Sequence, residues 1–159
     1  KTAAYTIERP LHLGAAIAGA PEKLIAAFRG YGRDIGVAFQ LRDDLLGVFG
    51  DPTVTGKPAG DDLREGKRTV LLSLALQRAD ASDPAAAADL RRLIGNTDDP
   101  ADIERMAQII ADSGAPDVVE QRITDLTHSG LAHLGDAHVP AEVTATLEEL
   151  ARKSTARRM

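Results

Sequence analysis

Cysteine is absent from the 159 residues, which excludes disulfides, thiolate metal sites and a cysteine nucleophile together. Any metal held here must sit on oxygen or imidazole. The absence is compatible with a reducing cytosol, and a cytoplasmic protein is expected. A surplus of basic charge is also missing. Lys and Arg number 19 against 24 Asp and Glu, a formal net charge of −5. A phosphate backbone is held mainly by an excess of Lys and Arg, which argues against a generic nucleic-acid binder, local basic clusters aside. No apolar run approaches the roughly 20 residues that cross a bilayer, so no membrane span is expected. Neither an internal repeat nor a low-complexity linker divides the chain.

What is abundant is Ala, Leu, Ile, Arg and Glu, with apolar residues recurring at spacings of three and four. That period is helical nearly everywhere, and no stretch reads as a strand, so the fold class is all-α. A first helix is expected over about Lys1 to Ala18, ending at Gly19-Ala20-Pro21. A second runs from Glu22 to about Val48, with Leu24, Ile25, Phe28, Tyr31, Ile35, Ala38, Phe39, Leu45 and Leu46 forming a wide apolar stripe. Gly50 to Gly60 reads as a loop, with a helix start at Asp61-Asp62 and a further helix over Lys67 to Ala79. Beyond it a short helix lies between two Asp-Pro breaks, followed by helices over Ala101 to Ser113, Pro116 to Leu134 and Pro140 to Arg152.

One stretch differs from the rest. "FQLRDDLLGVFGDPTVTGKPAGDDLREGKRT", Phe39 to Thr69, concentrates charge and glycine. At about 100° per residue, Gly36, Gln40, Asp43, Asp44 and Gly47 fall within roughly 60° of Gln40 on one side of the second helix. Adjacent carboxylates repel, so a site that keeps both ionised calls for cations, and hard oxygen ligands beside phosphate suit Mg²⁺. Lys57, Lys67 and Arg68 follow closely and supply groups for phosphate oxygens. "TGKPAG" lacks the full spacing of a nucleotide-binding phosphate loop and follows no strand. An isolated Asp-Asp pair is otherwise a solvated helix end; the neighbouring cations distinguish this one.

The same stretch resembles the second aspartate-rich region of the trans-isoprenyl diphosphate synthases, the polyprenyl synthetase family. "KTAAYTIERPL" resembles the Lys-Thr helix that precedes it there. The likeness is specific from Lys1 to Leu76 and general beyond. It implies a helical bundle of the isoprenoid synthase type, incomplete because the N-terminal helices are absent. Residues 1–159 would form the C-terminal part of a polyprenyl synthetase domain, with motif-bearing helices over 1–80 and a helical tail over 81–159. The resemblance further implies that Asp43 is a direct Mg²⁺ ligand, that Asp44 supports it, and that Asp61 acts through metal-bound water. Gln40 and Thr2 would line the allylic cavity, while Lys1, Lys57 and Lys67 would bind the allylic diphosphate. A complete site of this kind uses three Mg²⁺ and lysines to neutralise departing pyrophosphate, and the double bond of isopentenyl diphosphate attacks the allylic cation left behind. The implied product is a longer polyprenyl diphosphate such as geranylgeranyl or farnesyl diphosphate. A homodimer joined through the N-terminal half is also implied.

Two departures from the family pattern matter. Its D-D-x-x-D motif has Gly47 at the fifth position here, so a supporting carboxylate is missing, and restoring Asp there is expected to strengthen the metal site. The first aspartate-rich motif is not found in this sequence; Asp98-Asp99 precedes a proline turn that breaks the helix needed to align it. The chain, which begins at Lys1 in mid-motif, is therefore expected to be part of a larger synthase and inactive alone. The alternative is a noncatalytic subunit that stabilises or regulates a prenyl synthase. A terpene cyclase would carry an N-S-E metal motif, which is absent. His12, His128, His133 and His138 lack an H-x-x-x-H pair or a carboxylate at ligand spacing, and read as structural or surface residues. The basic end "RKSTARR" reads as solvated.

Overall fold

The computed structural model describes residues 7–56, 58–137 and 139–156. Every regular element among them is a helix. In chain order these are α1 (Arg9–Ile17), α2 (Glu22–Phe49), α3 (Pro52–Thr55), α4 (Asp61–Arg64), α5 (Val70–Ser82), α6 (Pro84–Leu93), α7 (Pro100–Asp112), α8 (Ala115–Asp136) and α9 (Ala141–Thr155). The all-α reading holds. The Asp-Pro pairs are helix starts as much as breaks. Asp51, Asp83 and Asp99 each accept a backbone N–H from a residue just inside the next helix, at 2.8, 3.1 and 2.9 Å, and a proline follows each. The carboxylate satisfies an orphan donor, and the proline has none to waste. The region expected as pure loop thus contains the short α3. The α5 helix begins three residues later than the sequence suggests, because the Thr69 hydroxyl accepts the Leu72 N–H at 3.1 Å and caps it there. Gly66, Lys67 and Arg68 are left outside any helix.

The chain forms two compact units. They cut across the division into motif-bearing front and helical tail, because packing rather than motif density defines them. Among the described residues, one takes the chain up to Arg42 together with residues 121–156. Its core joins Tyr31 and Ile35 of α2 to Leu134 of α8, Leu147 and Ala151 of α9, and Ala15 of α1. Large side chains buried this completely contribute about 1.5–3 kcal/mol each. The buried Tyr31 hydroxyl donates to the Leu147 carbonyl at 2.7 Å, and burial pushes its pKa up to about 12. Arg42 Nε donates to the Thr155 carbonyl at 2.7 Å, so a guanidinium satisfies an acceptor at the end of α9.

Asp34 is also buried in this unit. It accepts Ser129 Oγ at 2.7 Å and Arg33 Nε at 3.0 Å, and its Oδ2 lies 3.4 Å from His133 Nε2. Burial alone would raise its pKa. The hydrogen bonds from Ser129 and Arg33, with the charges of Arg33 and His133, outweigh that and hold it below the usual carboxylate range. His133, read from sequence as lacking a carboxylate, has one nearby, brought to it from 99 residues away.

The second unit is built on Asp43–Glu120. Here α5, α6 and α7 pack on one another and α4 packs on α7. Leu71 and Ala75 of α5, Leu90 of α6 and Met106 and Ile110 of α7 are completely buried. Leu63 of α4 is 1% exposed, which anchors the short helix although its four residues are too few to be stable alone.

Candidate functional site

Two pieces of the second unit converge. The C-terminal turns of α2 present Asp43 and Asp44, and the segment from α4 to Thr69 presents Asp62 and Lys67. The Lys67 ammonium is the meeting point. Its Nζ lies 2.8 Å from Asp62 Oδ2, 3.6 Å from Asp43 Oδ2 and 3.8 Å from Asp44 Oδ1. Exposure divides the carboxylates: the Asp43 side chain is 56% exposed, while those of Asp44 and Asp62 are 4% and 10%. Partial burial opposes the charge on Lys67 more than any other single influence. The hydrogen bond to Asp62 and the charges of Asp62, Asp43 and Asp44 together overcome it, and the ammonium pKa is raised. Lys67 is therefore a fixed cation at neutral pH.

Gly47 explains how Asp62 comes so near α2. A Cβ at position 47 would lie 2.3 Å from Asp62 Cγ and from its Oδ2, far inside contact distance. The Asp62 carboxylate, bonded to Lys67, thus occupies the space that a side chain at position 47 would enter.

Of the residues singled out from sequence, Asp43, Asp44 and Lys67 are brought together as described. Asp61 is half-buried at the first position of α4, and it is its neighbour Asp62 that bonds Lys67. Gln40 is half-buried on α2, one turn before the aspartates. Lys1, Thr2 and Lys57 lie outside the described residues. Asp62 was missed because two adjacent aspartates at a helix start look alike in sequence. The available signal was the spacing to Lys67: five residues across a turn let Asp62 receive both the Lys67 ammonium and, on its carbonyl, the Lys67 N–H at 2.9 Å.

Among the described residues no group of three or more carboxylates or imidazoles is disposed to hold a metal ion by itself. Mg²⁺ in general takes one or two protein carboxylates and completes its shell with water and phosphate oxygens. Asp43 and Asp44 are donors of the right hardness, and Asp43 is open to solvent. The donor set fits a divalent ion shared with an anionic ligand. No helix among the described residues is long and apolar enough to cross a membrane.

A family model described as polyprenyl synthetase matches residues 1–112. The chain is 43% identical over 116 residues to the geranylfarnesyl diphosphate synthase of Aeropyrum pernix, a span of 73% of this chain and 35% of that protein. It is 33% identical over 141 residues to the geranylgeranyl diphosphate synthase of Mycobacterium tuberculosis, covering 89% of this chain and 40% of the relative. A crystal structure of geranylgeranyl pyrophosphate synthase from Corynebacterium glutamicum, complexed with isoprenyl diphosphate and magnesium, superposes with a TM-score of 0.97 at 63% identity. That match covers 99% of this chain and 44% of the other. The chain thus spans well under half the length of these relatives.

Proposed function

The chain belongs to the polyprenyl synthetase family, and from that premise we propose that it is the C-terminal part of a trans-isoprenyl diphosphate synthase, contributing the half of the site that binds the diphosphate of an allylic substrate. The observation that carries this reading is the convergence of Asp43, Asp44 and Asp62 on Lys67. Anionic and cationic groups sit side by side there, as a metal–diphosphate pair requires. The reading is further supported by the 63% identical synthase whose structure contains isoprenyl diphosphate and magnesium.

In the proposed reaction the C–O bond between allylic carbon and diphosphate breaks, and its electron pair leaves with the diphosphate. The double bond of isopentenyl diphosphate then attacks the allylic cation, and loss of a proton to the released diphosphate restores a double bond. Bound Mg²⁺, three ions in a complete site, would supply the positive charge that neutralises the leaving diphosphate. Asp43 and Asp44 would hold metal at this end, with Asp43 the accessible ligand and Asp44 and Asp62 held in place by burial and by Lys67. Lys67, with Lys1 and Lys57, would bind diphosphate oxygens. Lysine suits this task as a compact charge with several donors. Gln40 and Thr2 would line the cavity beside the reacting carbon. No protein nucleophile is needed. A cytoplasmic homodimer that uses parts of the family fold beyond this chain completes the reading.

Calorimetry with a nonhydrolysable allylic thiodiphosphate, in a protein containing this chain and the rest of the synthase fold, tests the proposal. Binding is expected to need Mg²⁺, to vanish with EDTA and to weaken in Asp43→Ala. Binding indifferent to both metal and Asp43 would overturn it.

A further inference from the structure

The α6–α7 hairpin carries none of the residues singled out for chemistry, yet its turn touches the backbone that presents Lys67. Gly66 and Gly95 both adopt left-handed conformations, with φ of 64° and 69°. They face each other backbone to backbone. A Cβ on Gly95 would lie 3.0 Å from Gly66 Cα, and one on Gly66 would lie 3.1 Å from Gly95 Cα. The Gly95 N–H also donates to the Leu63 carbonyl at 3.0 Å, which ties the turn to buried α4. Lys67 follows Gly66 directly, and two residues later Thr69 is fixed as the cap of α5. The backbone is therefore held on both sides of Lys67: by the glycine contact before it and by the cap after it.

The geometry points to Gly95 as a positioning residue for Lys67. By abutting Gly66 it sets the point from which the lysine side chain reaches Asp43, Asp44 and Asp62. Glycine is required for two separable reasons, the left-handed φ and the missing Cβ at the point of approach. The inference rests on the proposed function only for the statement that Lys67 meets diphosphate; where Lys67 stands does not depend on it.

The test is acylation of the whole chain by an N-hydroxysuccinimide ester at fixed pH, with each lysine quantified by peptide mass spectrometry. Lys23, which is exposed, and Lys153, paired with Glu149 at 2.7 Å, serve as internal references. Gly95→Asn tolerates the left-handed φ but still presses a Cβ on Gly66, so Lys67 is expected to label several-fold faster relative to Lys23, with the Lys153 ratio unchanged. Gly95→Ala adds backbone strain and should shift Lys67 in the same direction, further. Ile110→Val loosens the same unit near the C-terminal end of α7 and should leave the Lys67 ratio as it was. A Lys67 ratio unmoved in both Gly95 variants, or raised equally by Ile110→Val, overturns the inference. So does a Gly95→Asn chain in which all lysines label fast, because that would be general unfolding. Protection of wild-type Lys67 by Mg²⁺ with inorganic pyrophosphate, in a protein that also contains the rest of the synthase fold, tests the functional reading separately. Its absence would count against diphosphate binding and leave the Gly95 result intact.

Discussion

Replacing Gly47 with alanine should destabilise this protein, although the same change inside an ordinary exposed helix stabilises it. Gly47 lies two residues before the end of α2, where alanine would gain about 0.5–1 kcal/mol through a lower entropy cost and better propensity. Against that gain stands a Cβ placed 2.3 Å from Asp62 Cγ. Carbon atoms in contact sit about 3.5–4.0 Å apart, so the carboxylate must retreat by more than 1 Å. That movement carries it away from the position in which it bonds Lys67 at 2.8 Å. A hydrogen bond between charged groups is worth about 1.5–3 kcal/mol, and the lower end applies because the Lys67 side chain is 36% exposed. A buried Asp62 carboxylate without its partner adds to the loss. The net expectation is a destabilisation of about 1 kcal/mol. Urea unfolding followed by far-UV circular dichroism measures it, and a cycle with Asp62→Asn should show that the alanine penalty shrinks once the charge is gone. A Gly47→Ala chain more stable than wild type would refute the placement of Asp62. The same geometry reverses the expectation drawn from the motif alone: Gly47→Asp in a complete synthase should raise, not lower, the Mg²⁺ concentration needed for half-maximal rate, because the new side chain displaces Asp62 and adds a like charge.

Other outcomes follow from single contacts. Asp34 has a folded pKa below its ordinary 3.8, so its contribution to stability is present above that value and is lost as pH falls through the lower folded pKa. Asp34→Asn should therefore lower the melting temperature at neutral pH and flatten the acid side of the stability curve; an unchanged acid limb would refute the assignment. Tyr31→Phe removes the hydroxyl that donates to the Leu147 carbonyl and should cost about 1 kcal/mol in denaturant unfolding, with the core otherwise intact. Thr69→Ala removes the α5 cap and should cost about 1 kcal/mol, accompanied by faster amide exchange at Leu72, whose N–H the hydroxyl accepts.

Much of this molecule is written in local sequence. Apolar spacing of three and four makes every element a helix. Asp followed by Pro marks the starts of α3, α6 and α7, because the cap and the missing donor act on residues within one turn. The paired aspartates at the end of α2 and the lysine downstream are visible as a charge pattern, and the family resemblance rests on the same residues. Other features are set by chain segments far apart or by choices that sequence leaves degenerate. Asp61 and Asp62 are chemically identical neighbours, and only the packing of Leu63 and the turn to Lys67 direct the second of them to the ammonium. Gly47 reads as a gap in a motif until the fold places a carboxylate 2.3 Å from where its Cβ would be. The Asp34–His133 pair and the Gly66–Gly95 contact join residues 99 and 29 positions apart, and no periodicity encodes such distances. Helix propensity and capping are short-range free energies, which a sequence displays directly. The approach of two backbones, or of two charges from different helices, is decided by burial summed over a whole unit, and that sum exists only once the chain has folded.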